Sequence, residues 1–169
     1  RTLAERKSYR VDFRRTEPFG IIEKLNLNAN LFERQFFSMN FMAAANVPAP
    51  DVKLIYARMN SSDIGPFTQV EHLDDDFLTA HFGNDLDDGN LYEGINRCAD
   101  LWYRGEDKEA YRDCYDKKTN QEEDDFSDLI DLTRVISADD FWNIPNNLPD
   151  VMNVDEWLNY FAANALLTT

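Results

Sequence analysis

Hydrophobic and polar residues alternate near the start of the chain. Lys7, Tyr9, Val11 and Phe13 take one side and Ser8, Arg10 and Asp12 the other, the period of two that predicts a half-buried strand. Pro18, Phe19 and Gly20 break this run, and residues 21–27 read as a second strand. Asn28 and Asn30 supply a turn and a candidate helix cap. Over residues 31–45, Phe32, Phe36, Met39 and Ala43 recur at helical spacing, which predicts an amphipathic helix with a bulky core face ending at Asn46, before Pro48 and Pro50. Residues 51–58 form the next strand, residues 60–65 carry turn chemistry, and the chain returns through Phe67 to Glu71 as a hairpin. Asp74 or Asp75 caps a short helix that Gly83 and Asn84 close. Leu91 and Tyr92 make a further strand, and residues 98–120 are polar and aromatic, with one short helix expected over 108–116. Two helices follow. Residues 124–135 place Phe126, Leu129, Ile130 and Thr133 on one face, and residues 154–167 do the same with Trp157, Tyr160, Phe161 and Leu167.

Early strands around one crossover helix, then a mainly helical part, predict an α+β fold. The 169 residues suit one domain, and 43% apolar with 13% aromatic residues is rich enough for a packed core. Charge changes the picture more. With 32 acidic against 17 basic side chains the net charge is -15, which repels phosphate backbones and argues against general nucleic-acid binding. No apolar run approaches the roughly 20 residues that span a bilayer. Residues 1–7 do not have the form of a signal peptide, so any targeting segment is expected upstream. Cys98 and Cys114, if oxidised, close a loop of about 15 residues worth roughly 3 kcal/mol. The alternative is a pair of thiols in a reducing compartment.

Common catalytic signatures are absent from the sequence: it has no phosphate-loop Gly-Lys-Ser/Thr, no Gly-Xaa-Ser-Xaa-Gly elbow and no zinc-ligand spacing. The acidic run at residues 85–90 lacks the spaced ligands and terminal Glu of a calcium loop and reads as a solvated turn. Glu122, Glu123, Asp124 and Asp125 read as a charge cluster at a helix N-terminus, favourable against its dipole.

Several segments in order nevertheless resemble one family. The stretch Gly65-Pro-Phe-Thr-Gln-Val-Glu71, the helix after it and Leu91-Tyr92 resemble the middle of the spore-coat H (CotH) family of kinase-like domains, where a strand ending in Glu leads to a short helix and a Leu-Tyr strand. Arg6-Lys7-Ser8-Tyr9 is similar to that family's Lys-Lys-Ser-Tyr strand. Lys24-Leu-Asn-Leu-Asn-Ala29 with Arg34 is similar to its strand-to-helix passage. Asn46-Val-Pro-Ala-Pro50 is similar to the Gly-Val-Pro-Ala-Pro that closes its helix, with Asn46 where Gly is common.

The resemblance implies a kinase-like fold, with residues 1–169 a partial domain: about 1–95 sheet-rich and about 96–169 the start of the helical part. It implies ATP with Mg or Mn as cofactor and phosphate transfer to Ser or Thr of a secreted, surface or spore-coat protein. Phosphoryl transfer needs cations on the phosphates, metal-holding carboxylates and a carboxylate that orients the hydroxyl. Lys7 is the candidate phosphate cation, weighed against a strand-end lysine snorkelling to water. Arg34 either holds phosphate or pairs with a carboxylate such as Glu71 or Glu33. Glu71 and His72 mark the hinge, where backbone leaving a sheet can pair with an adenine edge. The family's segment before the first strand is expected upstream of Arg1, and its catalytic Asp and Asn downstream of Thr169, so the chain alone is expected to be inactive. A disulfide between Cys98 and Cys114 also suits the resemblance. The competing reading is a non-catalytic adhesion or coat-assembly module with the same fold, and a third is an unrelated acidic binding domain.

Overall fold

The computed structural model describes residues 6–14, 16–17, 24–83, 88–137 and 139–168. The expected strand start at residues 21–23, the break at residues 18–20 and residues 84–87 of the expected helix end and acidic turn lie outside the described residues. The fold is α+β, with a small antiparallel sheet and several helices. The chain divides into two compact units, Arg1–Leu73 with Asn159–Thr169, and Asp74–Leu158.

The first unit is built on four antiparallel strands in the order β1-β2-β4-β3: β1 Tyr9–Asp12, β2 Lys24–Asn28, β3 Val52–Met59 and β4 Ser62–Val70. β3 and β4 form the expected hairpin, with Met59 opposite Ser62. Its two turn residues, Asn60 and Ser61, have φ of 49° and 66°, the pair of positive values whose twist matches flanking strands. Phe67 and Thr68 on β4 are almost wholly buried and form the heart of this unit.

Helix α1, Phe32–Ala44, follows β2 and contacts β3 and β4. Its expected core face is shallower than the spacing predicts. No residue of α1 is buried: Phe32, Phe36 and Met39 are half-buried, Ala43 is exposed and Phe37 is 67% exposed. A helix touching a sheet along one side covers only part of a ring. The expected Asn cap is also replaced. Leu31 occupies the cap position with φ 49° and no side-chain cap, while Asn28 Nδ2 donates to Gln35 Oε1 at 2.9 Å. At the other end Asn46 takes φ 57°, and the Val47 N–H reaches back to Met42 O at 3.0 Å, which satisfies a terminal carbonyl of the helix.

The second unit opens with α2, Asp75–Phe82, closed by Gly83 at φ 81°. Strand β5, Tyr92–Gly94, pairs with β6, Tyr115–Lys117, and the short helix α3, Glu109–Arg112, stands between them. The single helix expected over residues 108–116 therefore ends at Arg112. Tyr115 and Lys117 are buried while Asp116 is exposed, so strand alternation wins there. Helix α4, Ser127–Ser137, buries Leu129, Ile130, Thr133 and Val135. Helix α5, Ile144–Asn147, and a 3-10 turn at Leu148–Asp150 fill a segment not expected to be helical, each with Pro at its first turn. The last helix, α6, Val154–Thr168, contributes residues 154–158 to this unit and 159–168 to the first. No described helix is long and apolar enough to cross a membrane.

Candidate functional site

All four sequence-derived site residues fall in the first unit. Lys7 precedes β1 and is exposed, whereas Tyr9, Val11 and Phe13 are half-buried. The reason lies in its neighbours. Arg6 Nη2 donates to Ala29 O at 3.3 Å, and Ser8 Oγ accepts from the Ala29 N–H at 3.1 Å. The residues on both sides of Lys7 thus hold the backbone of Ala29 at its N–H and its C=O, and the lysine between them stays exposed. Arg34 is exposed in the first turn of α1. That turn is anchored by Thr68 Oγ1, which donates to Phe32 O at 2.5 Å.

Glu71 closes the hairpin. Its N–H donates to Asp51 O at 2.9 Å, and its carboxylate Oε2 accepts from the Asp51 N–H at 2.9 Å. These bonds extend the β3 and β4 pairing past the last ladder residues, Val52 and Val70. The chain leaves the sheet at His72, which is half-buried, and Leu73, which is exposed.

Sequence reasoning missed Arg6 and the ion pairs of the second unit, though it offered the Cys98–Cys114 disulfide as one alternative. In that unit Cys98 and Cys114 are joined by a disulfide, with Cα atoms 5.1 Å apart. Cys114 packs with Tyr111, Tyr115, Phe126, Leu129 and Ile130. Around this core run several ion pairs. Asp124 receives Lys108 Nζ at 2.6 Å and also Arg112 Nη2, and these two cations hold its carboxyl below the usual range. Glu106 accepts from the Tyr103 hydroxyl and from Arg134 Nη2 at 2.6 Å, and its carboxyl is lowered by the Tyr103 bond first and Arg134 second. Burial, followed by the hydrogen bond to Asp128 at 2.6 Å, raises the Tyr92 phenol far above its ordinary value. None of these groups stands poised for proton transfer near neutrality. They are exposed or half-exposed ties between loops, each worth modest stability.

The charge is divided very unevenly. Residues 74–158 carry 24 Asp and Glu against 7 Lys and Arg, leaving the first unit with 8 against 10. A groove of about 350 Å³ in the second unit is lined by Glu106, Asp107, Asp125 and Asp131 against Lys108 and Arg134, a poor setting for phosphate. The exposed cations Lys7 and Arg34 are in the unit whose charges nearly balance. An expected consequence concerns salt. Because the second unit repels itself, its thermal midpoint rises between about 0.05 M and 0.5 M NaCl, as screening shortens the reach of repulsion from ~14 Å to ~4 Å. All three tryptophans, Trp102, Trp142 and Trp157, lie in residues 74–158, so tryptophan fluorescence during heating reads this unit. A midpoint lowered by salt would contradict the expectation.

Comparison with known proteins identifies the family. Residues 1–169 match the CotH kinase protein family. The chain belongs to the CotH family. It is 24% identical over 166 residues to the inner spore coat protein H of Bacillus subtilis, a match that covers 94% of this chain and 45% of that protein. The CotH chain described here thus spans less than half the length of that relative.

Proposed function

We propose that this chain is a nucleotide-binding part of an atypical protein kinase domain with a kinase-like fold. The whole protein transfers phosphate from ATP to Ser or Thr of a coat or surface protein. The match to the CotH kinase family over residues 1–169 carries this reading. Lys7 and Arg34 fit the phosphates of a nucleotide as exposed cations in the less acidic unit. Glu71 ends the strand pair through both its N–H and its carboxylate, so the backbone that meets an adenine edge is the segment leaving the sheet at His72 and Leu73. ATP would supply the phosphoryl group, and Mg or Mn would neutralise part of the phosphate charge. The residues of this chain bind and orient it, and neutralising the phosphates is the larger part of such catalysis.

Incubating the whole protein with labelled ATP, Mg or Mn and a candidate coat protein tests the reading. Label on Ser or Thr is the expected result, and its absence with either metal overturns it. The 169-residue chain by itself binds nucleotide but transfers little or no label, because none of its residues is assigned as the catalytic carboxylate; turnover by that chain would refute this part. Lys7→Ala and Arg34→Ala are each expected to weaken its nucleotide binding by about tenfold, the loss of one charge-assisted phosphate contact.

A second reading rests on the name of the relative, an inner spore coat protein. On that reading the chain is part of a coat-assembly module, with coat association as its location and binding rather than transfer as its task. Coat incorporation that survives complete loss of nucleotide binding separates the two.

A further inference from the structure

Arg6 makes two side-chain hydrogen bonds and lies over two aromatic rings. Its Nη1 donates to Pro66 O at 2.8 Å and its Nη2 to Ala29 O at 3.3 Å, so one guanidinium joins β4 to the loop after β2. The same group lies 5.4 Å from the centre of the Phe32 ring, at the start of α1, and 5.5 Å from that of Phe67, in the core. Gly65 is shaped to it. A Cβ at that position would come within 2.6 Å of Arg6 Nη1, and its φ of 102° is one that side-chain-bearing residues rarely adopt. Three segments, β4, the loop after β2 and the start of α1, therefore converge on one planar cation, a task that suits a guanidinium more than an ammonium.

The placement matters because of what flanks it. Lys7 is the next residue in the chain, and Arg34 is two residues beyond Phe32. We propose that Arg6 is a positioning residue for nucleotide binding. By fixing the start of α1 against β4 and the residue-29 peptide, it sets Arg34 and Lys7 where they meet the phosphates. This inference rests on the nucleotide reading above and adds to it a residue that touches no ligand.

The test is a double-mutant cycle on the 169-residue chain, with a fluorescent ATP analogue and Mg as probe and thermal midpoints measured alongside. Arg6→Lys keeps the charge but lacks the planar fork that reaches Pro66 O and Ala29 O from two separate nitrogens, and it is expected to weaken binding about tenfold in a chain that remains folded at the assay temperature. Arg34→Gln weakens binding similarly, and the double variant loses less than the sum of the two single losses, because Arg6 acts in part through Arg34. Additive losses, or an affinity that Arg6→Lys leaves unchanged, overturn the proposal. Arg6→Gln, which retains a planar donor for Pro66 O, replaces Arg6→Lys if the latter fails to fold. Should the wild-type chain bind no analogue, the nucleotide reading fails separately. Amide exchange at Gln35, whose N–H bonds Leu31 O at 3.0 Å, then decides on Arg6: faster exchange in Arg6→Lys upholds the positioning of α1, and unchanged exchange overturns it.

Discussion

Truncating Tyr111 to alanine is expected to destabilise the second unit by about 4 kcal/mol, the range for emptying an aromatic site in a packed core. Tyr111 has no exposed surface and lies among Cys114, Tyr115, Phe126, Leu129 and Ile130. Its hydroxyl is also a hub. It accepts from the Arg104 N–H at 3.0 Å, meets Thr133 Oγ1 at 3.1 Å and donates to Gly105 O at 3.2 Å. Tyr111→Phe isolates the polar part: the ring remains, but the Arg104 N–H loses its partner, at a cost of about 1–3 kcal/mol. Urea titration of the three proteins, followed by tryptophan fluorescence, measures both steps. If Tyr111→Phe costs as much as Tyr111→Ala, the hydroxyl and not the ring holds the core. If neither shifts the midpoint, the core is not where the structure puts it.

Breaking the disulfide is expected to have the next largest effect. Cys98 and Cys114 are separated by 16 positions, and freeing a loop of that length restores unfolded-state entropy worth roughly 3 kcal/mol. For a unit of this size that corresponds to a fall of roughly 10–20 °C in thermal midpoint. Cys98→Ser with Cys114→Ser, or the wild-type chain under reductant, should show the same loss. The loop contains Arg104 and Gly105, which contact the Tyr111 hydroxyl, and it is tied further where the Leu101 N–H donates to the Tyr115 hydroxyl at 2.9 Å and the Arg104 side chain to Cys98 O at 2.8 Å. Reduction therefore also loosens the Tyr111 cluster, and the two perturbations should not be additive. An oxidised and a reduced chain with equal midpoints would remove the disulfide from the account of stability.

The sequence was most informative where one period dominates. The β3 and β4 hairpin was legible because apolar residues flank a turn of Asn60 and Ser61, and α4 because Phe126, Leu129, Ile130 and Thr133 repeat at helical spacing. It was least informative in residues 98–120. There the three-residue strand β6 depends on pairing with β5 across 20 or more positions, with no local pattern to announce it. Lys117 is buried by that pairing although it sits in an acidic, polar run. The prolines at 145 and 149 concealed short helices, since a proline at a first turn and one in a loop look alike. At the candidate site, Lys7 drew notice by parity with Tyr9, but Arg6 makes the contacts. One signal pointed to it, the lone glycine in a strand pattern at Gly65, which marks a close approach without saying by what.

The uneven charge also bears on how the protein behaves when handled. A net charge of -15 describes neither unit, since residues 74–158 carry -17 and the remaining residues +2. Retention on an anion exchanger will report that segment alone. Mild acid will strip charge from it while the rest of the chain, with 10 Lys and Arg against 8 Asp and Glu, turns more cationic. The pH of least solubility is thus a balance struck between two dissimilar surfaces, each still charged when their sum is zero.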